Sequence, residues 1–185
     1  MTDDHNIARQ LATGEGQLRW SSVTTRRLGA VLIAYVDLCP FFVSLAAPGE
    51  VGAWAQGLAI PPPVRDSRAP RILCAALRAA VDYGLQYAGP VGFVRETSFR
   101  RAVLTATRAI PCGETRMYGE IATAIGHPRA ARAVGSALAA NPLPLLIPCH
   151  RVVGAGRRLG FYSDGGPEMK RRLLAGEGVD VASLR

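Results

Sequence analysis

The 185-residue sequence has little lysine, few aromatic residues and no long apolar run. Lys170 is the only lysine among 22 basic residues, and aromatic side chains make up 6% of the chain. The most apolar stretch, Leu28 to Leu45, is interrupted by Asp37 and Pro40. It therefore falls short of the roughly 18 uninterrupted apolar residues that a membrane span needs. We expect a protein that does not cross a membrane.

Signals for secretion and for metal binding are also missing. Residues 1–10 lack a basic region followed by an apolar segment, so no secretory signal is predicted. The expected location is the cytoplasm, or the nucleus if a eukaryote makes the protein. The four cysteines form no Cys-x-x-Cys pair, and the three histidines do not flank them at zinc-ligand spacing. We expect no disulfide framework, no metal and no cofactor.

The positive charge of the chain is concentrated in its second half. Residues 1–90 hold 8 basic and 7 acidic side chains, a net charge of +1, whereas residues 91–185 hold 14 and 7, a net charge of +7. A concentrated positive field favours polyanions, because each phosphate contact releases condensed counterions. A solvated basic face is the alternative interpretation of the same charge.

The first half has the pattern of a small α+β domain. An aliphatic stretch from Ala30 to Val36 precedes a second one, residues 41–45, with apolar side chains at alternate positions. Together they predict a small antiparallel sheet. After the linker Pro61–Pro63, apolar residues recur every fourth position from Arg71 to Leu85, which predicts an amphipathic helix. We assign residues 1–90 to this domain.

The second half, residues 91–185, is predicted to be mostly helical. Thr97 or Ser98 is a suitable cap for its first helix. A short helix from Tyr118 to Ile125, stopped by Gly126, precedes a predicted helix from Pro128 to Ala140, which together suggest a helix-turn-helix. The small side chains of the second helix favour either tight packing in a core or close approach to a nucleic-acid groove.

The segment Asn141 to Val153 sets a cysteine, a histidine and an arginine directly after a proline-punctuated apolar run. Pro148 cannot continue a ladder or helix hydrogen bond, so Cys149 and His150 are predicted in an irregular turn. An imidazole or a guanidinium near a thiol favours the nucleophilic thiolate. By itself the pair is a candidate nucleophile and base, or an accident of sequence.

Further motifs accompany this segment in order. With them, the sequence resembles the O6-alkylguanine-DNA alkyltransferases, also called methylated-DNA–protein-cysteine methyltransferases. Residues 1–90 fit only as the variable α+β domain of that family. The resemblance covers most of residues 97–178 and rests on Ile110–Thr115, Tyr118–Ala122, Arg129–Gly135, Asn141–Val153, Gly160–Ser163 and Leu173–Gly178.

The resemblance implies direct-reversal DNA repair by a protein that is consumed in a single turnover. Cys149 would accept the alkyl group of O6-alkylguanine, and of O4-alkylthymine as a further substrate. His150 would deprotonate the thiol through a bridging water while Glu177 orients the imidazole. Tyr118 would donate a proton toward guanine N3, and Asn141 would brace the active-site turn.

The resemblance also implies how the partner, double-stranded DNA, would be bound by a monomer. Arg132 matches the family's arginine finger, which fills the gap left by the flipped nucleotide. Ala130, Ala131 and Gly135, together with Tyr118, would allow close approach to the minor groove.

The alkyl pocket of the family corresponds to Tyr162, Ser163 and Val152. The following loop is one residue longer than is usual, with Asp164 inserted. That carboxylate could narrow the pocket, repel phosphate or hydrogen-bond an amino group, or form only an exposed Asp-Gly turn.

Two other functions compete with alkyl transfer. A damage-binding protein of the alkyltransferase-like type would flip the base and signal, but that branch lacks the cysteine that Cys149 supplies here. A Cys-His hydrolase would need an oxyanion loop, and none is legible in the sequence.

Overall fold

The structure, a computed structural model, describes residues 11, 13, 16–45, 49–94 and 96–185. These residues form two compact units. The first unit takes its described residues from 1–82 and 87–96, and the second comprises 83–86 and 97–185. Residues 1–10, where the sequence predicts no secretory signal, lie outside the described residues.

The first unit contains a four-stranded sheet in the order β3-β2-β1-β4. The antiparallel pairs β1–β2 and β2–β3 confirm the predicted sheet, while β1 pairs with β4 in parallel. Apolar side chains of β2 and β3, including Phe41, are buried in the core of this unit. The strands are β1 (Arg19–Thr25), β2 (Gly29–Val36), β3 (Cys39–Ser44) and β4 (Val64–Arg65).

Two helices accompany the sheet, α1 (Gly49–Gly57) and α2 (Arg71–Tyr83). The predicted amphipathic helix is α2, whose Leu73 and Leu77 are buried. It ends two residues earlier than predicted, because Gly84 adopts a left-handed conformation with φ of +66°. Leu85, the last residue of the predicted apolar face, is exposed.

The second unit is mostly helical, as predicted. Thr97 caps its first helix by accepting a hydrogen bond from the amide of Arg100. Strands β5 (Arg116–Met117) and β6 (Val152–Val153) form a parallel pair of two residues each. The helices are α3 (Ser98–Arg108), α4 (Tyr118–Ala124), α5 (Ala131–Ala139) and α6 (Gly166–Gly176).

The helix predicted from Pro128 to Ala140 starts later than predicted. The amide of Ala130 donates to the carbonyl of His127, which closes a turn over residues 127–130. Helix α5 then begins at Ala131. Pro128 therefore lies in the turn between α4 and α5 and not in the first helical turn. The turn follows Gly126, whose φ of +79° ends α4 as predicted.

Short 3-10 helices at Cys149–Arg151, Ala155–Arg157 and Val181–Ser183 complete the second unit. The combination of a largely antiparallel sheet with helices confirms the predicted α+β class. Among the described residues, no helix is long and apolar enough to cross a membrane.

Candidate active site

The active-site turn is built by Asn141 and by apolar anchors around it. The Asn141 side-chain oxygen accepts the amide of Leu143 at 3.0 Å, and its Nδ2 donates to the carbonyl of Ile147 at 3.0 Å. Leu143 and Ile147 are themselves almost completely buried. One side chain thus closes the loop at both ends, which fixes the backbone that leads into Pro148.

Cys149 lies at the start of the 3-10 helix Cys149–Arg151 and is buried, with 6% of its surface exposed. Asn141 Nδ2 lies 3.2 Å from its Sγ. Burial raises the pKa of the Cys149 thiol, whereas the Asn141 contact and the positive charge of Lys170 lower it, and Asp164 raises it. The resting thiol is therefore a protonated group beside partners that favour its ionised form.

His150, Arg151 and Glu177 form a buried hydrogen-bonded cluster. His150 Nε2 lies 2.9 Å from Glu177 Oε1. Arg151 donates from Nε to Oε2 and from Nη2 to Oε1, both at 2.8 Å. Burial alone would raise the pKa of Glu177, but its hydrogen bonds to His150 and Arg151 lower it to about 2. Glu177 is accordingly an anion at neutral pH.

The same contacts define how His150 is protonated. Burial lowers the pKa of His150, although the Glu177 carboxylate acts in the opposite direction. A neutral imidazole next to an anionic carboxylate carries its proton on Nε2, facing the oxygen. The Nδ1 atom is buried and has no hydrogen-bond partner among the described residues. Its lone pair is therefore available to accept a proton.

Cys149 lines a small cavity of about 60 Å³. The ring of Tyr162, which is buried, meets the ring of His150 edge-on at 6.3 Å. Phe161, by contrast, is 70% exposed at the same cavity. The lining residues are Tyr118, Gly135, Leu138, Ala139, Cys149, Phe161, Tyr162 and Ser163.

Tyr118 is placed beside Cys149 by the short parallel sheet. β5 pairs Met117 with Val153, and Tyr118 follows as the first residue of α4. The Glu120 carboxylate accepts the Met117 amide at 2.6 Å, which fixes the start of the helix. Burial raises the pKa of the Tyr118 phenol, as does the charge of Cys149. The hydroxyl therefore remains a hydrogen-bond donor at neutral pH.

Lys170 is a further site residue that sequence reasoning did not select. It is completely buried on α6, donates from Nζ to the Val152 carbonyl at 2.6 Å and lies 5.9 Å from the centre of the Tyr118 ring. Burial lowers the pKa of Lys170 to about 8. Lys170 is the only lysine of the chain, but this fact of composition does not indicate where in the fold the residue lies.

Helices α4 and α5 border a second, larger concavity of about 920 Å³, the α4–α5 groove. Arg132 is exposed on the first turn of α5, and Gly135 lies against the Tyr118 ring. Tyr118 and Gly135 line both the groove and the small cavity. The groove is lined by Met117, Tyr118, Gly119, Glu120, Thr123, Ala124, Pro128, Ala131, Arg132, Gly135 and Ala155.

Two of the predicted site residues lie apart from these linings. Val152 is buried in β6 and contributes its carbonyl to Lys170, but it does not line the cavity. Ala130 caps α5 and does not line the groove.

Asp164 is half-buried and acts electrostatically on Cys149 and Tyr162. In the described part of the chain, no group of three acidic, His or Cys side chains could hold a metal ion.

Comparison with known sequences relates the second unit to one family. The profile described as "6-O-methylguanine DNA methyltransferase, DNA binding domain" matches residues 98–179. The methylated-DNA–protein-cysteine methyltransferase of Salmonella typhimurium is 50% identical over 82 residues. That stretch is 44% of this chain and 47% of the Salmonella protein, so the match spans about half the length of the curated relative.

Solved structures extend the likeness to most of the chain. The crystal structure of Mycobacterium tuberculosis O6-methylguanine methyltransferase is 31% identical, with a TM-score of 0.71 over 87% of this chain and 93% of that one. Mycobacterium tuberculosis OGT in complex with DNA is 30% identical, with a TM-score of 0.72 over 90% and 94% of the two chains. The chain therefore belongs to the O6-methylguanine-DNA methyltransferase family.

Proposed function

We propose that this protein repairs alkylated DNA by moving the alkyl group from guanine O6 to its own Cys149. The observation that carries the proposal is the position of Sγ, at a small cavity and within 3.2 Å of the Asn141 amide, next to the His150–Glu177 pair. Alkyl transfer needs a nucleophile, a base and a confined space close together, and this arrangement supports the proposal. The thioether that forms is stable, so each molecule reacts once.

The reaction begins with loss of the thiol proton. The Nδ1 lone pair of His150 is the acceptor that the hydrogen-bond network leaves open, directly or through a bridging water. Glu177, held anionic by Arg151, stabilises the imidazolium that forms. Asn141 and the positive charge of Lys170 stabilise the thiolate.

The thiolate then attacks the alkyl carbon. A sulfur–carbon bond forms, the bond from that carbon to guanine O6 breaks, and its electron pair moves into the guanine ring system. The Tyr118 hydroxyl donates a proton toward guanine N3 as negative charge builds there. The Ser163 amide, in the loop that lines the cavity, is the proposed contact for the departing oxygen.

DNA binding is assigned to the α4–α5 groove. Small side chains at Ala131 and Gly135 permit close approach of α5 to the minor groove, where base readout is nearly independent of sequence. Arg132, exposed at the start of α5, would occupy the stack when the damaged nucleotide rotates out. The cavity with Cys149 opens at Tyr118 and Gly135, which also line the groove, so a flipped base has a continuous path.

The alkyl–oxygen linkage defines the proposed substrates. In O6-alkylguanine, the alkyl group of the flipped base is placed at the cavity beside Cys149. O4-alkylthymine presents the same alkyl–oxygen linkage and is the second proposed substrate. The protein acts as a monomer on double-stranded DNA, in the cytoplasm of a bacterium or the nucleus of a eukaryote.

The test is the mass of the intact protein after incubation with a short duplex that contains O6-methylguanine. We expect the wild type to gain one methyl group, mapped to Cys149 by peptide analysis, and the Cys149→Ser variant to gain nothing. An unmodified duplex of the same sequence is the control. Tight binding to the methylated duplex without a mass gain would instead support a damage sensor, and repeated turnover on an ester or amide would support a hydrolase.

A further inference from the structure

The segment Tyr83–Gln86 follows α2 but packs with the second unit. The apolar side chains of the segment are largely exposed, since Tyr83 and Leu85 are both 59% exposed. Two polar contacts link the segment to the rest of the second unit. Gln86 donates from Nε2 to the Arg108 carbonyl at 3.0 Å, and the Gly84 carbonyl accepts Arg151 Nη2 at 3.2 Å. The second contact reaches directly into the active-site cluster.

Arg151 distributes its guanidinium over three partners. Glu177 takes two of its bonds, and the carbonyls of Ile110 and Gly84 accept from Nη1 at 2.6 Å and from Nη2 at 3.2 Å. With 3% of Arg151 exposed, water does not substitute for a lost partner without rearrangement. The two carbonyls therefore determine how the planar guanidinium is oriented, and the guanidinium determines where Glu177 lies.

Glu177 Oε1 is shared between Arg151 and His150. It lies 2.8 Å from Arg151 Nη2 and 2.9 Å from His150 Nε2. A shift of the guanidinium thus moves the oxygen that orients the imidazole. The Gly84 carbonyl accepts a hydrogen bond from the same Nη2 atom. Arg151 therefore connects the Gly84 carbonyl with the Glu177 oxygen that contacts His150.

Gly84 meets two separate requirements that a larger residue fails. Its φ of +66° is a conformation that glycine adopts without a steric cost. A Cβ at this position would also lie 2.3 Å from Cys112 Sγ and 3.6 Å from Glu177 Cγ. A side chain must therefore shift either the segment or Cys112, whereas Glu177 Cγ would remain in ordinary van der Waals contact.

We propose that Gly84 is a positioning residue for alkyl transfer, acting through Arg151 and Glu177 on His150. The inference rests on the proposed function for its kinetic consequence, but its structural consequence for His150 does not depend on that function. Gly84 lies outside the stretch of residues 98–179 that the family profile matches. The active site thus depends on a main-chain carbonyl supplied by the end of the N-terminal half of the chain.

The experiment compares Gly84→Ala with Gly29→Ala. Gly29 has a similar φ of +74°, yet nothing lies within 4 Å of the position of its Cβ, so the control carries the backbone strain without the steric contact. Single-turnover transfer from an O6-methylguanine duplex is measured for both. We expect the rate of Gly84→Ala to fall by about 10-fold or more, as small displacements of catalytic groups do, and the rate of Gly29→Ala to remain within about 2-fold of the wild type.

A second readout separates positioning from loss of stability. The tautomer and pKa of His150 are measured by nitrogen NMR in the wild type and in Gly84→Ala. Burial lowers the pKa of His150, Glu177 raises it, and the charges of Arg151 and Lys170 lower it. A weaker Glu177 contact should therefore shift the His150 titration to lower pH and reduce the Nε2–H tautomer. This measurement requires no alkyl transfer, so it tests the proposal even if the proposed function fails.

Rescue by Cys112 provides the third arm. In the double variant Gly84→Ala/Cys112→Ala the 2.3 Å contact with sulfur is removed, and we expect several-fold recovery of the rate and of the His150 titration. If Gly84→Ala does not fold, Gly84→Asn, which tolerates the left-handed region better but still carries a Cβ, takes its place. A folded Gly84→Ala or Gly84→Asn protein with wild-type rate and wild-type His150 titration would overturn the proposal.

Discussion

At the scale of single residues, Lys170 is the most unusual feature of the site. A completely buried ammonium group is costly, and the Val152 carbonyl is its hydrogen-bond acceptor. The cost is useful if the charge assists the reaction, because Lys170 lowers the pKa of the Cys149 thiol. Buried charges of this kind commonly mark functional sites.

The Lys170 charge predicts a specific dependence of stability on pH. Burial lowers its pKa from 10.5 to about 8, so between these values the unfolded chain binds more protons than the folded one. The free energy of unfolding should therefore rise with pH across this window, by up to about 3 kcal/mol, and the penalty is fully present below pH 8. Urea unfolding at pH 7 to 10.5 measures it.

The comparison for Lys170 is the Lys170→Met variant. Its unfolding free energy should lack the rise, so the difference between wild type and variant should change with pH only between about 8 and 10.5. The variant should also transfer methyl groups more slowly at pH 7, because the thiol loses a charge that favours its ionisation. Parallel stability curves for the two proteins would refute the assignment.

Asn141 is the second residue whose removal should act on both structure and reactivity. Asn141→Ala removes the bonds to Leu143, Ile147 and Cys149. It leaves the buried Leu143 amide unpaired, whereas the Ile147 carbonyl keeps the bond that it accepts from the Cys149 amide. We expect a loss of about 2–3 kcal/mol in the free energy of unfolding and a higher pKa of the thiol.

Urea unfolding and the pH dependence of the transfer rate test the Asn141 prediction together. The pH at which the rate is half-maximal should rise in the variant. Ser136→Ala, which removes a hydrogen bond between an exposed hydroxyl and the Arg132 carbonyl, is the control and should leave both quantities nearly unchanged. A stable Asn141→Ala protein with unaltered kinetics would contradict the role given to this side chain.

At the scale of elements, what could be predicted depended on periodicity. The apolar runs of β2 and β3 and the four-residue spacing of α2 are strong signals, and the structure contains all three elements. β1 (Arg19–Thr25) was not predicted, because Ser21 and Thr25, two of its three buried residues, are polar, so its sequence RWSSVTT lacks the apolar–polar alternation of a strand. Its identity as a strand comes from seven paired positions with β2.

In the candidate site, too, features that depend on nearby residues could be predicted, and contacts between distant residues could not. Local sequence predicted an irregular turn at Cys149, and the structure has a 3-10 helix there. The contacts of Arg151 with Gly84 and Ile110 span 67 and 41 residues, and no pattern in the sequence indicates them. Likewise, the start of α5 depends on the turn at His127–Ala130. The preference of proline for the first turn of a helix placed Pro128 inside the helix instead.

Helix α5 provides the prediction at this scale. Gly135 is only 3.8 Å from the Tyr118 ring when a Cβ is placed on it, so Gly135→Leu would fill the point where the groove meets the cavity. We expect DNA affinity to fall by about 10-fold, on the order of 1.4 kcal/mol, while the helix itself gains propensity.

Fluorescence anisotropy with a labelled duplex and thermal unfolding measure the effect of Gly135→Leu. The matched control is Ala133→Leu, which adds a side chain of the same size on the exposed part of α5 outside the groove lining. Equal losses of affinity in both variants would show that the groove is not the surface that contacts DNA.

At the scale of the whole molecule, the positive charge is distributed unequally between the two halves of the chain. Residues 1–90 are nearly neutral at +1, while residues 91–185 carry +7. The α4–α5 groove and the cavity with Cys149 both lie in the basic half. Electrostatic attraction to phosphate is therefore concentrated in the half of the chain that contains Cys149, and much of the free energy of DNA binding should be sensitive to salt.

The last prediction concerns the number of phosphate contacts. The logarithm of the binding constant should fall linearly with the logarithm of salt concentration, with a slope proportional to the phosphates neutralised. If Arg132 enters the stack and does not pair with a phosphate, Arg132→Ala should weaken binding to a methylated duplex while changing the slope by much less than the value of about 1 expected for a lost phosphate contact.

Arg78→Ala is the control for Arg132, since Arg78 is an exposed arginine of the first unit that hydrogen-bonds the Thr24 carbonyl. It removes the same formal charge, so it should leave both affinity and slope nearly unchanged. Titrations at 50 to 200 mM salt, on duplexes with and without O6-methylguanine, distinguish the outcomes. A slope reduced by about 1 in Arg132→Ala, on both duplexes alike, would make Arg132 a phosphate contact and would remove the support for its insertion into the base stack.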